Sequence, residues 1–271
     1  MDLKFLLILV GSSFFWSCTS SYSISKSAVD SHISQWEITP QKKTQKILLF
    51  LGHGINSPDS IPTSIVNLFI ESGYKIIGVE KYDTQQGYTR VINTDTKNLR
   101  IQTVSDFLQS KTYSQLIVYG EGEGGLIAPQ IAENNNADAL ILNQAILVSS
   151  KEFYENVMIS KGPYKDSISN SMDLTTDEKW MAFIEAVTLK PNTGNAWNGR
   201  SSRQYASYWE YVPMDFLLAF KGTSLVISNV NSPVYKKEYD ELANRPSIQL
   251  KSIGSKENAI RDFLESVSEN P

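Results

Sequence analysis

Residues 119–132 read Tyr-Gly-Glu-Gly-Glu-Gly-Gly-Leu-Ile-Ala-Pro-Gln-Ile-Ala. Just upstream, Gln115–Tyr119 (QLIVY) is a short apolar run of the kind that forms a buried strand. Just downstream, Leu126–Glu133 has the composition and spacing of a helix. Gly120, Gly122, Gly124 and Gly125 therefore fall where a strand must turn sharply into a helix. Such a turn needs residues without a Cβ, either to reach positive φ or to let two backbones approach closely.

Working outward, the same alternation recurs. Ile47–Leu51 (ILLFL) is an unbroken apolar run that stops at Gly52, as a parallel strand buried on both faces would. Ile61–Ser72 has helical spacing and ends at Gly73. Strands are expected at Lys75–Val79, Ala139–Leu142, Thr223–Ser228 and Ser247–Leu250. Helices are expected at Lys97–Leu108, Tyr235–Leu242 and Lys256–Val267. Residues from about 145 to 205 lose the alternation and contain helical pieces such as Trp180–Leu189. Strands alternating with helices give right-handed crossovers and a mostly parallel central sheet flanked by helices, an α/β fold. The irregular middle stretch reads as a helical lid inserted on that sheet.

The string Gly120-x-Gly122-x-Gly124-Gly125 resembles the Gly-x-Ser-x-Gly-Gly nucleophile elbow of the prolyl-aminopeptidase-like and acyl-esterase-like branch of the α/β-hydrolase superfamily. Gly120, Gly124 and Gly125 match, and Gly122 stands where the family carries its serine. Gly52-His53-Gly54 resembles the His-Gly loop that supplies an oxyanion-hole amide. Glu123, which follows the elbow position, belongs to the same oxyanion-side group and is commonly glutamate in the resembling elbows. The segment 208–215 (YWEYVPMD) resembles the return from the lid to the acid-bearing strand. The likeness spans about 47–268.

The resemblance also says where an acid and a base belong. The acid's turn follows the strand after the lid and here reads Ser228-Asn229-Val230-Asn231, with Asn231 in the acid's place. The base's turn follows the last strand and here reads Ile253-Gly254-Ser255-Lys256, with Ser255 in its place and Lys256 the alternative register. The chain has two histidines, His32 and His53, and none after His53. A serine is a poor nucleophile until a base accepts its proton, and that base is usually histidine. The leading expectation is a scaffold without the Ser/Asp/His triad that binds a small molecule or a protein in the lid cleft. Two alternatives stand beside it: an ester or peptide hydrolase using other groups, and a dinucleotide binder. The second rests on Gly120-x-Gly122-x-x-Gly125, which also fits the dinucleotide fingerprint. Against it, two strands precede the cluster and the next strand ends in Asn143 rather than an acid. Glu121 is the candidate ligand contact. No metal and no cofactor are expected, since histidine and cysteine are too few to cluster.

The first residues read as an address. Lys4 precedes the apolar run Phe5–Val10, then come Gly11, Ser12 and Ser13, followed by Phe14, Phe15, Trp16, Ser17 and Cys18. The run is too short to span a bilayer, so residues 1–17 are expected to be a cleaved export signal. Ser17-Cys18 resembles a relaxed bacterial lipobox, which implies lipidation of Cys18 and attachment to a membrane of the bacterial cell envelope, outside the cytoplasm. Residues 18–46, rich in Ser, Thr, Gln and Lys, are expected to be a flexible tether, and 47–268 the folded domain. The formal net charge of -4 and the lack of a basic-aromatic stretch argue against a nucleic-acid partner.

Overall fold

The apolar runs form the middle of one sheet. The computed structural model describes residues 22–28, 34–52, 58–79, 97–159, 163–191, 196–197, 200–228 and 240–269. Its strands are β1 (Tyr22–Ala28), β2 (Ser34–Pro40), β3 (Lys46–Leu51), β4 (Tyr74–Val79), β5 (Gln115–Glu121), β6 (Ala139–Asn143), the short β7 (Ala196–Trp197) and β8 (Arg200–Ser201), β9 (Thr223–Ser228) and β10 (Ile248–Ser252). All but β7 and β8 join in an eight-stranded sheet of order β1-β2-β4-β3-β5-β6-β9-β10. Only β2 runs against the others.

Among the described residues, five helices cover the sheet. On one face lie α1 (Thr63–Glu71) and, from the chain's end, the helix Lys256–Glu269. Their Ile65, Phe69 and Phe263 pack on Leu48, Ile117 and Ile141. On the other face lie α2 (Lys97–Gln109), α3 (Gly124–Asn134) and the short helix Pro213–Ala219. Here Val104, Ile127 and Leu217 meet Leu49, Val118 and Leu140. Successive strand residues serve opposite faces, so a strand covered on both sides reads as a continuous apolar run.

Between β6 and β9 the chain builds the lid from α4 (Ser150–Ile159), α5 (Pro163–Met172), α6 (Asp177–Thr188) and α7 (Ser202–Tyr208). The two helices named above by range then follow as α8 (Pro213–Ala219) and α9 (Lys256–Glu269). The α6 N-terminus is capped by Thr176, and α7 starts with a capping box between Ser201 and Gln204. The lid has its own aromatic centre. The Phe183 ring lies 5.1 Å from that of Trp197, 5.1 Å from Tyr205, 5.2 Å from Tyr154 and 6.0 Å from Trp209.

The tether expected at 18–46 is corrected by β1 and β2, which occupy 22–28 and 34–40. Trp36 is 1% exposed, and a Cβ on Gly78, its partner across the β2–β4 ladder, would lie 2.0 Å from the indole. The indole thus fills the space that the missing side chain leaves. Ile38, two residues on, is also buried. The polar composition belongs to solvated strand faces at a sheet edge, not to free chain. The helix expected at 235–242 falls mostly outside the described residues, as does the signal at 1–17.

Candidate functional site

The turn between β5 and α3 is where the sequence places the elbow, and its backbone is tightly constrained. Gly122 has φ +55°, the left-handed region that L side chains enter at a cost. Its N–H donates to the Asn143 carbonyl at 3.2 Å, and its own carbonyl accepts from Gly125 N–H at 3.1 Å. The other glycines are fixed by contact. A Cβ on Gly124 would lie 2.0 Å from the Leu51 carbonyl oxygen at the end of β3. One on Gly120 would lie 2.5 Å from Ala128 Cβ, and one on Gly125 2.4 Å from Ala145 Cβ. The α3 helix therefore sits on the strand ends with no room for a side chain between them.

The two glutamates of the turn go opposite ways, as strand-end geometry dictates. Glu123 is buried and forms an ion pair with Arg100 of α2 at 3.2 Å. Arg100 also donates to the Tyr208 hydroxyl, at 3.0 Å, at the end of the lid. Nearby, Lys97 N–H donates to Ser207 Oγ at 3.1 Å, and its ammonium lies 4.0 Å from the Tyr211 ring centre. Burial lowers the Lys97 pKa, while burial and then Tyr208 push the Tyr211 phenol up. The start of α2 thus ties the elbow to the lid's return segment. Sequence reading missed Arg100, because nothing in a helix pattern says which cation will reach a glutamate 23 residues away.

Glu121 faces the α9 side of the sheet. Its carboxylate lies 3.5 Å from Lys256 Nζ and accepts from the Tyr119 hydroxyl at 3.4 Å. Burial first, then the Glu121 charge, raises the Tyr119 phenol pKa well above its ordinary value. Glu121, the candidate ligand contact, is not among the described residues that line the cavity below. Of the two registers for the base's turn, Lys256 reaches the elbow. Ser255 is exposed and its hydroxyl donates to the Ser252 carbonyl at 3.0 Å. His53, Gly54, Asn231 and Cys18 lie outside the described residues.

Over the elbow, beneath the lid, lies a cavity of about 280 Å³. Gly122, Glu123 and Leu126 form its floor, and Phe153, Tyr154 and Tyr205 contribute aromatic wall. Ser150, Gln204 and Tyr208 add hydrogen-bonding groups. Among the described lining residues the one charged side chain, Glu123, is neutralised by Arg100. Among the described residues no group of three or more His, Cys, Asp or Glu is placed to hold a metal, and no helix is long and apolar enough to cross a membrane.

This strand order, with one antiparallel strand near the edge and a glycine elbow after the central strand, is that of the α/β-hydrolase fold. A dinucleotide-binding unit carries its glycine loop after the first strand instead. Solved structures of that fold are similar along nearly the whole chain. Est1E from Butyrivibrio proteoclasticus, in a structure with ferulic acid bound, is 14% identical with a TM-score of 0.63, over 91% of this chain and 100% of that one. An acetyl xylan esterase from Paenibacillus sp. R4 is 16% identical, TM-score 0.54, over 92% and 85%. A thioesterase domain from the curacin biosynthetic pathway is 10% identical, TM-score 0.54, over 91% and 99%. At these identities the likeness is one of fold. No family model matches the chain, and no curated protein matches it.

Proposed function

We propose that this chain is an α/β-hydrolase-fold protein that binds a small ligand without turning it over. The observation that carries the reading is Gly122: the position at the tip of the elbow is open to the cavity, has φ +55°, and bears no hydroxyl. Asn231 and the 253–256 turn supply neither acid nor histidine. An oxyanion site without a nucleophile and base gives only part of the rate enhancement. The ligand that suits the cavity is compact, uncharged and largely apolar or aromatic, with one or two groups for Gln204, Ser150 or Tyr208. At about 280 Å³ the space is at the lower end for ligand sites.

A second reading, ester hydrolysis by non-standard groups, is favoured by the similar structures, which are named as esterases and a thioesterase. Ser150 and Ser171 are the serine hydroxyls of the cavity wall among the described residues that such chemistry would have to enlist. The chain lacking residues 1–18 separates the two. On the first reading, neutral aromatic compounds raise its melting temperature and are recovered intact, and no fluorophosphonate label is incorporated. Saturable p-nitrophenyl ester turnover that survives repurification and is lost in Ser150→Ala or in Ser171→Ala establishes the second.

We further propose export and lipid anchoring through Cys18 in the bacterial cell envelope, supported by the apolar run Phe5–Val10 and the Ser17-Cys18 pair. Mass spectrometry of the protein from the membrane fraction reads the acyl addition directly, and Cys18→Ser abolishes it.

A further inference from the structure

β1 begins at Tyr22, only four residues after Cys18. Four residues of extended chain reach at most about 14 Å. A lipid on Cys18 is therefore held close to the start of β1, not at the end of a long tether. The ladder registers say which end of the sheet that is. Tyr22 pairs with Pro40, and Ile38 pairs with Ile76, so Tyr22 lies level with the first residues of β4. Lys46 pairs with both Tyr74 and Gln115, so β3 and β5 start at that level too. Gly122 and the lid stand at the opposite end, beyond the seven residues of β5. That strand spans about 20 Å, more than the chain from Cys18 can cover.

The end nearest Cys18 carries a local run of lysines. The β2–β3 turn carries Lys42 and Lys43, both exposed, and leads into Lys46. Lys221 and Arg245, exposed ahead of β9 and β10, lie at the same end. Elsewhere at this end acids balance the bases: Glu71, Asp106, Glu133, Asp240, Glu241 and Glu265 are exposed there, and the Asp138 carboxylate accepts from Leu116 N–H at 2.7 Å. Glu37, beside this turn, is occupied by Lys75 and Lys111. The positive charge is therefore local to the Lys42–Lys46 turn, where three lysines fall within five residues and no acid lies between them.

We infer that the protein seats this end of its sheet on an anionic lipid surface, with the Lys42–Lys46 turn against the headgroups and the cavity under the lid facing away from the bilayer. The inference rests on the proposed acylation of Cys18. It means that a ligand reaches the cavity from the aqueous side and not from the lipid phase.

The test uses the chain from Cys18 onward, which retains every described element. Cys18 is the one cysteine, so a maleimide-headgroup lipid in nanodiscs containing phosphatidylserine couples there whether or not cells acylate it. With spin-labelled headgroups present, the methyl signals of Ile38, Ile47 and Ile76 should broaden severalfold more than those of Ile146, Ile168 and Ile184. Equal or greater broadening in the lid overturns the orientation. For the charge, the uncoupled Cys18→Ser chain should bind phosphatidylserine vesicles about thirtyfold more weakly after Lys42→Gln with Lys43→Gln, roughly fivefold for each lysine. Unchanged binding overturns the role of the turn. Acylation is scored separately by the mass of the protein from cells, so loss of the anchor and loss of the orientation are distinct results.

Discussion

The elbow and the lid close over the same cavity, yet they are built by opposite means. The elbow excludes side chains: Gly120, Gly124 and Gly125 each sit where a Cβ would strike a neighbour. The lid is made of side chains: Phe183, Trp180, Tyr205 and Trp209 supply its interior, and Phe183 is 0% exposed. One region is specified by backbone approach and the other by ring packing. The elbow geometry persists at a position with no nucleophile, because the contacts of α3 with the strand ends require it regardless of chemistry. The lid is free of that constraint, and on the proposed function it is where a ligand's shape would be read.

The comparison predicts unequal costs. Phe183→Ala should be the most damaging single change, at about 4 kcal/mol, because it opens a void among five rings. Urea unfolding measures the loss, and hydrogen exchange should place it in 150–208 while β3, β5 and β6 stay protected. Gly124→Ala should cost about 3 kcal/mol, since its methyl meets the β3 backbone and neither partner is a flexible side chain. Here protection should fall in the strands first. If both variants lose protection everywhere together, the two regions are one cooperative unit and the contrast drawn above is broken.

What the sequence shows of this architecture follows the same division. The core strands are legible because burial on both faces makes them continuous apolar runs: Ile47–Leu51 and Thr223–Ser228 lie where expected. The elbow is legible because only glycine satisfies its contacts. The edge strands are not read from composition, since β1 is solvated and β2 shows its strand only in the alternation of Trp36 and Ile38. The lid's helices are visible as fragments, but their packing depends on aromatic contacts far apart in sequence. Arg100 is illegible for a related reason: its importance comes from what α2 faces, not from its place on the helix.

Arg100 is also where the two regions are joined, which gives a third way to probe the comparison. Glu123→Gln removes the charge that balances the guanidinium but leaves the Tyr208 contact. The loss should be about 2 kcal/mol, as for a buried charged hydrogen bond. Arg100→Met added to Glu123→Gln should recover part of it, because no unpaired charge is then left behind. A double-mutant cycle on the melting curves measures the coupling. Additive losses would mean that elbow and lid are not linked through this pair.

The smallest expected effect is at Gly122 itself. A serine there must adopt φ near +55°, which for an L residue costs about 1 kcal/mol. Gly122→Ser should therefore lower stability slightly and, on its own, give no esterase, since no histidine stands at the base's turn. The structure now chooses between the two registers for restoring one. Ser255 is turned outward to Ser252, whereas Lys256 already reaches the elbow beside Glu121. Gly122→Ser with Asn231→Asp and Lys256→His should give more p-nitrophenyl ester turnover than the same pair with Ser255→His. If the reverse holds, the turn's register in solution differs from the one described. If Gly122→Ser alone is strongly active, a base is already present, and the first residue to replace is His53. That result would also turn the elbow from a packing device into a catalytic site lacking one hydroxymethyl group.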